Sequence, residues 1–76
     1  MKETIEMIVK ALVDDPDGVD LSEVERNGTA IIEIRVAPSD MGKIIGRQGR
    51  TIRALRTLAN AAGTKQKRRF ILEIVE

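Results

Sequence analysis

A chain of 76 residues with 42% hydrophobic and 33% charged side chains is too apolar to stay disordered and too charged to lie within a bilayer. It contains no cysteine and no histidine, which excludes disulfides, Cys/His zinc sites and nucleophile–histidine catalysis. The expectation is one domain over residues 1–76, not an enzyme, with no cofactor and no metal. The net charge of +1 conceals a division: residues 1–33 carry Lys2, Lys10 and Arg26 against nine acids, whereas residues 34–76 carry ten bases against Asp40, Glu73 and Glu76. That asymmetry fits a basic face that meets an anion, or two compensating solvated surfaces.

Ile5, Ile8, Val9 and Leu12 recur at helical spacing and predict an amphipathic helix from Glu3 to Val13. The start Met1-Lys2-Glu3-Thr4 is unlike a signal peptide, and no apolar run reaches the roughly 20 residues of a membrane span, so a cytoplasmic location is expected. Asp14-Asp15-Pro16-Asp17-Gly18 resembles part of a calcium loop, but Pro16 breaks the alternation of ligands and the closing Glu is missing, leaving a helix stop and turn. Residues 18–26 read as a strand in which Val24 falls out of phase with Val19 and Leu21, which predicts a bulge. Asn27-Gly28 is a hairpin signal, followed by strict alternation of Ala30, Ile32, Ile34 and Val36. Pro38 ends that strand, Ser39 is the expected N-cap, and a short helix runs from Asp40 to Ile45.

From Arg50 onward Ile52, Leu55, Ala59 and Ala62 share a helical face, and Gly63 is placed to end the helix in a left-handed conformation. Ala54, Leu58 and Ala61 form a second apolar stripe, read either as a dimer contact or as ordinary partial burial. Lys65 to Arg69 form a basic loop or strand start, and Phe70, Leu72 and Ile74 alternate in a last strand with Phe70 facing the core. The order is α-β-β-α-α-β.

The informative motif is Ile44-Ile45-Gly46-Arg47-Gln48-Gly49-Arg50-Thr51-Ile52, a G-x-x-G loop between two helices. Two residues without side chains let the chain turn sharply and let a sugar-phosphate backbone approach its N–H groups. The helix that begins near Gly49 adds the partial positive charge of its N-terminus, and Arg47 and Arg50 add full charges. A nucleotide-triphosphate loop would need Lys after its last glycine and a strand before it, and neither is present.

With these residues the chain resembles the K-homology (KH) family, whose hallmark I-I-G-x-x-G-x-x-I is matched by Ile44, Ile45, Gly46, Gly49 and Ile52. The element order resembles the type II arrangement, which implies an α+β fold with a three-stranded sheet and three helices on one face. The resemblance implies binding of about four unpaired nucleotides, RNA rather than DNA, with phosphates on the loop and bases against aliphatic groups. Aromatic stacking is not required, which suits a chain whose only aromatic residue is Phe70.

Carried over position by position, the resemblance assigns RNA contact to Gly46, Arg47, Gln48 and Gly49, with Lys43 and Arg50 beside them. Ile45 and Ile52 either line an apolar groove or serve as core, core packing being the preferred role for Ile52, with Ile34 and Val36 at the far wall. Arg53 and Arg56 either contact backbone or are solvated, and Lys65 to Arg69 form an outer phosphate clamp. In length and layout the chain is similar to the small bacterial single-KH proteins. This implies an RNA chaperone or post-transcriptional regulator, linked to cell elongation and peptidoglycan homeostasis, acting as a homodimer or beside a larger KH-containing partner. The alternative is an interaction subunit that docks such a partner and has little RNA affinity of its own.

Overall fold

In the computed structural model, which describes residues 1–75, the first helix α1 (Lys2–Leu12) turns Ile5 and Val9 inward at i, i+4 spacing. Both are fully buried, while Leu12 and Met7 stay exposed. Pro16–Gly18 forms a single 3-10 turn, and the chain then enters β1 (Asp20–Arg26) and β2 (Thr29–Arg35). Asn27 and Gly28 both have positive φ, 51° and 79°, the turn geometry whose twist matches that of an antiparallel pair.

The last strand, β3 (Arg69–Ile74), lies parallel to β2, so the sheet is mixed and ordered β1-β2-β3. The helices α2 (Met41–Ile45) and α3 (Arg50–Lys65) make the crossover between the two parallel strands. Side chains alternate across the sheet. Ala30, Ile32 and Ile34 of β2 and Phe70 and Leu72 of β3 enter one core with Ile5, Val9, Ile44, Leu55 and Ala59. The architecture is thus α+β, with three helices and a three-stranded sheet.

Three local expectations are corrected. Pairing runs unbroken from Asp20↔Arg35 to Arg26↔Thr29, so β1 has no bulge. Val24 is out of phase because it sits on the sheet's outer face, opposite Ile31 and 37% exposed. Secondly, Pro38–Asp40 is a 3-10 turn, and α2 starts at Met41 behind Asp40; neither the turn nor α2 has a side-chain cap bond, so Ser39 is not an N-cap.

Thirdly, Gly63 does not end α3, which continues to Lys65. Gly63 is buried, and a Cβ there would lie 2.2 Å from the Arg68 carbonyl oxygen and 3.2 Å from Phe70 Cδ2. Its role is to let β3 approach the helix. The left-handed residue is Lys67 (φ 56°), and the Arg68 and Lys67 N–H groups donate to the Gly63 and Thr64 carbonyls at 2.7 and 3.2 Å. This is a Schellman cap with lysine where glycine is usual.

Candidate nucleic-acid interface

The loop Gly46–Gly49 is held by isoleucines on both sides. Ile44 is fully buried and Ile52 nearly so, which pins the end of α2 and the start of α3 to the same core. Ile52 is therefore a core residue.

Between these anchors the backbone reverses within four residues. Gly46 has φ 76° and ψ 169°, a region open essentially to glycine alone. A Cβ there would meet Thr51 at 2.3 Å from its Oγ1 and 2.7 Å from its backbone N. Gly49 (φ 73°, ψ 17°) also needs left-handed backbone, but the space beside it is open. Gln48 adopts φ 58° between them, so three of the four loop residues have positive φ. Gly46 N–H donates to the Gly42 carbonyl at 2.8 Å and Gly49 N–H to the Gly46 carbonyl at 3.1 Å, which closes the turn.

The positive side of the loop is unopposed. Arg47, Arg50, Arg53 and Arg56 are exposed, none is in an ion pair among the described residues, and α3 contains no acidic residue. No side chain caps α3, so its first-turn N–H groups remain directed at the loop's outer surface. Ile45, 39% exposed, joins Val36, Pro38 and Met41 around a groove of about 280 Å³ next to the loop. All four linings are apolar, which suits the flat face of a base more than a charged group. Ile34 is fully buried beneath the sheet and does not reach this groove.

Lys43 is placed differently from the arginines. Its ammonium lies 2.9 Å from Asp14 Oδ2 and 3.3 Å from Asp40 Oδ1, pairs that raise its pKa, the Asp14 hydrogen bond most. Asp40 is 1% exposed and accepts hydrogen bonds from the Asp14 and Asp15 backbone N–H groups at 3.2 and 3.1 Å. Burial works against its ionisation, but those two amides and then Lys43 outweigh it and hold the carboxyl below its ordinary range. The cluster straps the end of α1 to the start of α2, and leaves Lys43 little charge to offer a phosphate.

Among the outer basic residues Arg68 is also engaged. Its guanidinium reaches Glu25 at 3.4 Å and Glu23 at 3.8 Å across β2 and lies 5.6 Å from the Phe70 ring centroid. The small Ala30, register partner of both Glu25 and Phe70, leaves it room to cross. Lys65, Lys67 and Arg69 are exposed.

Sequence reasoning missed Pro38 and Met41 as groove walls and Asp40 as the strap. The spacing of Met41 and Ile45, one helical turn apart, was a usable signal for the first; nothing local distinguishes Asp40 from a surface acid. Among the described residues no three His, Cys, Asp or Glu side chains converge as metal ligands, and no helix is long and apolar enough to cross a membrane.

Comparison with known proteins agrees with this geometry. The family model for the KhpA/KhpB KH domain matches residues 2–74. The chain is 52% identical over 75 residues to the RNA-binding protein KhpA of Caldanaerobacter subterraneus subsp. tengcongensis, covering 99% of this chain and all of the relative. It is 53% identical to the Halalkalibacterium halodurans protein of the same name, over the full length of both. To that of Borreliella burgdorferi it is 53% identical over 74 residues, 97% of this chain and 90% of the relative. No solved structure gives a significant match. A three-stranded mixed sheet, three helices, the G-x-x-G turn and full-length identity near one half together establish that the chain belongs to the KhpA/KhpB family of KH domains.

Proposed function

We propose that the chain, as a single KH domain over its 76 residues, binds single-stranded RNA at the Gly46–Gly49 loop. The observation that carries this reading is the union of a glycine-bounded turn, unpaired Arg47, Arg50 and Arg53, and an apolar groove within one short stretch of chain. Phosphates lie over Gly46, Arg47, Gln48 and Gly49, where peptide N–H groups and the N-terminus of α3 favour negative charge. A base enters the groove of Val36, Pro38, Met41 and Ile45. No aromatic side chain is needed, because apolar burial and backbone polar groups do the work that stacking does elsewhere. The printed names of the relatives, RNA-binding protein KhpA, support RNA as the ligand.

A site for about four nucleotides makes few contacts, so a lone domain binds weakly and gains from a second linked site. The exposed stripe of Ala54, Leu58 and Ala61 on α3, with Leu58 51% exposed, is the surface for such pairing, with another copy or with a larger KhpB-like protein. The cellular role that follows is a cytoplasmic, non-catalytic RNA chaperone or post-transcriptional regulator, connected through the family to cell elongation and peptidoglycan homeostasis. The competing reading is a subunit that uses the α3 stripe to dock its partner and has little affinity for RNA.

Fluorescence anisotropy with short single-stranded RNA and DNA separates the two readings. For about three phosphates neutralised, log K should fall with log salt at a slope near −2. Arg47→Asp/Gln48→Asp, folded by circular dichroism, should lose binding. Equal binding by both proteins, or none by either, would leave partner docking as the function of the isolated chain.

A further inference from the structure

Between the buried Val36 and the buried Ile44 the chain sends one side chain inward. Ala37, Pro38, Ser39, Met41, Gly42 and Lys43 are exposed or half-buried, and only Asp40, four residues from each apolar anchor, is buried. A carboxylate stays in such a place only when its oxygens are hydrogen-bonded. Here α1 ends with the Val13 N–H on the Val9 carbonyl at 3.2 Å. The next two amides, those of Asp14 and Asp15, donate to Asp40 Oδ1 and Oδ2 at 3.2 and 3.1 Å. The Lys43 ammonium adds a contact to Oδ1 at 3.3 Å. On the main-chain side the Asp40 N–H donates to the Ala37 carbonyl at 2.8 Å, which closes the turn that carries Pro38.

Pro38 and Met41, either side of this anchor, form half the lining of the apolar groove, with Val36 and Ile45 as the other half. Val36 is held by its own burial at the end of β2, and Ile45 by its neighbour Ile44. The wall of Pro38 and Met41 has no such support. The helix α2 has five residues, no side-chain cap and one buried side chain, Ile44, near its far end. A helix so short is not held by its own hydrogen bonds. The start of α2 therefore takes its position from Asp40.

We infer that Asp40 is a positioning residue for the RNA site: its carboxylate, clasped by the turn after α1, sets the width of the groove that receives a base. At 1% exposure it does not touch RNA itself. The inference rests on the proposed reading of that groove, and it divides the site into two parts. The phosphate part, Gly46–Gly49 with Arg47 and Arg50, hangs from Ile44 and Ile52 and is independent of Asp40. The base part depends on it. Asparagine has nearly the same shape but a single acceptor atom, so its NH2 would face one of the two backbone N–H groups and release the turn.

Two probes of equal charge test this by fluorescence anisotropy at low salt. One is a mixed-sequence RNA of about six nucleotides, enough to cover a site of about four; the other is an abasic ribose-phosphate chain of the same length. Asp40→Asn should weaken binding of the RNA about 10-fold, the low end for disturbing an apolar pocket. Its affinity for the abasic chain and its salt slope should stay at wild-type values, since no phosphate contact is lost. Lys43→Ala keeps both amide bonds to Asp40 and should show the same contrast at about two-fold, which keeps the test open if Asp40→Asn does not fold. In NMR spectra of the free protein, Asp40→Asn should displace the Met41 methyl and the Asp14 and Asp15 amides while Gly46 to Gly49 stay in place. A strap that serves the fold alone would lower the unfolding midpoint and leave the folded protein's RNA affinity unchanged, and that result would overturn the inference. Equal weakening on both probes would do the same. A wild type that binds the two probes equally would remove the base groove, and this inference with it, while leaving the phosphate loop standing; a wild type that binds neither would remove both.

Discussion

Gly46→Ala and Gly49→Ala add the same methyl group to two positive-φ sites, and the structure predicts very different consequences. At Gly49 the new Cβ meets nothing, so the cost is that of placing an L residue in left-handed backbone, about 1–2 kcal/mol. At Gly46 the backbone lies in a region nearly forbidden to other residues, costing about 1–3 kcal/mol. To this is added a collision 2.7 Å from the Thr51 backbone N, which cannot swing aside as a side-chain tip would. Overpacking of that kind costs typically another ~1–3 kcal/mol.

The sum, about 2–6 kcal/mol, is large against the roughly 4–11 kcal/mol expected for a domain of 76 residues. Urea unfolding followed by circular dichroism should therefore show a modest loss for Gly49→Ala and at least twice that for Gly46→Ala. Gly49→Ala should still lower RNA affinity, because its Cβ occupies the open space assigned to the phosphate backbone. Equal destabilisation by the two changes, or a Gly49→Ala protein that binds RNA as wild type does, would refute the reasoning.

Lys67→Gly should stabilise the fold by about 0.5–1 kcal/mol, read as a higher urea midpoint, because it removes a left-handed lysine from the cap of α3 and its cost exceeds the entropy glycine adds. Asp40 has a depressed folded pKa, so its contribution is present above the unfolded value of 3.8 and is lost as pH falls through the lower folded pKa. Acid titration of stability should accordingly be flatter below pH 3.8 in Asp40→Asn, which should also be less stable at pH 7. Arg50→Ala should reduce the salt slope of RNA binding by roughly 0.7, the share of one phosphate, whereas Lys43→Ala, whose charge is already matched by Asp14 and Asp40, should change it less.

Much of the fold was legible because burial imposes a period. Ala30, Ile32 and Ile34 alternate since β2 is the central strand with one face covered, and Ile52, Leu55 and Ala59 follow α3's inward stripe. The failures occur where tertiary contact overrides a local signal. Val24 looked out of phase because apolar side chains were assumed to point inward, yet it belongs to the outer row with Ile31 and Ile71. Gly63 looked like a helix end because glycine often is one, but the approach of Arg68 and Phe70 sets it, and the cap passes to Lys67.

The candidate site divides in the same way. The turn needs Gly46, so its position is written in residue type, and the uncompensated arginines follow from the absence of acids in α3. Pairing is another matter. That Lys43 is held by Asp14, and Arg68 by Glu23 and Glu25, depends on residues 29 to 45 positions distant and has no local signature. Two of the basic residues that sequence alone directs at RNA therefore serve the fold.

The most direct test is an NMR titration of the uniformly labelled chain with a short single-stranded RNA, following backbone amides and the methyl groups of Val36, Met41 and Ile45. The account predicts shifts concentrated at Gly46 to Arg53 and at the groove methyls, with the outer sheet residues Val24, Ile31 and Ile71 unmoved. Shifts centred on the Lys65–Arg69 segment or the sheet face, with the Gly46–Gly49 loop silent, would contradict it.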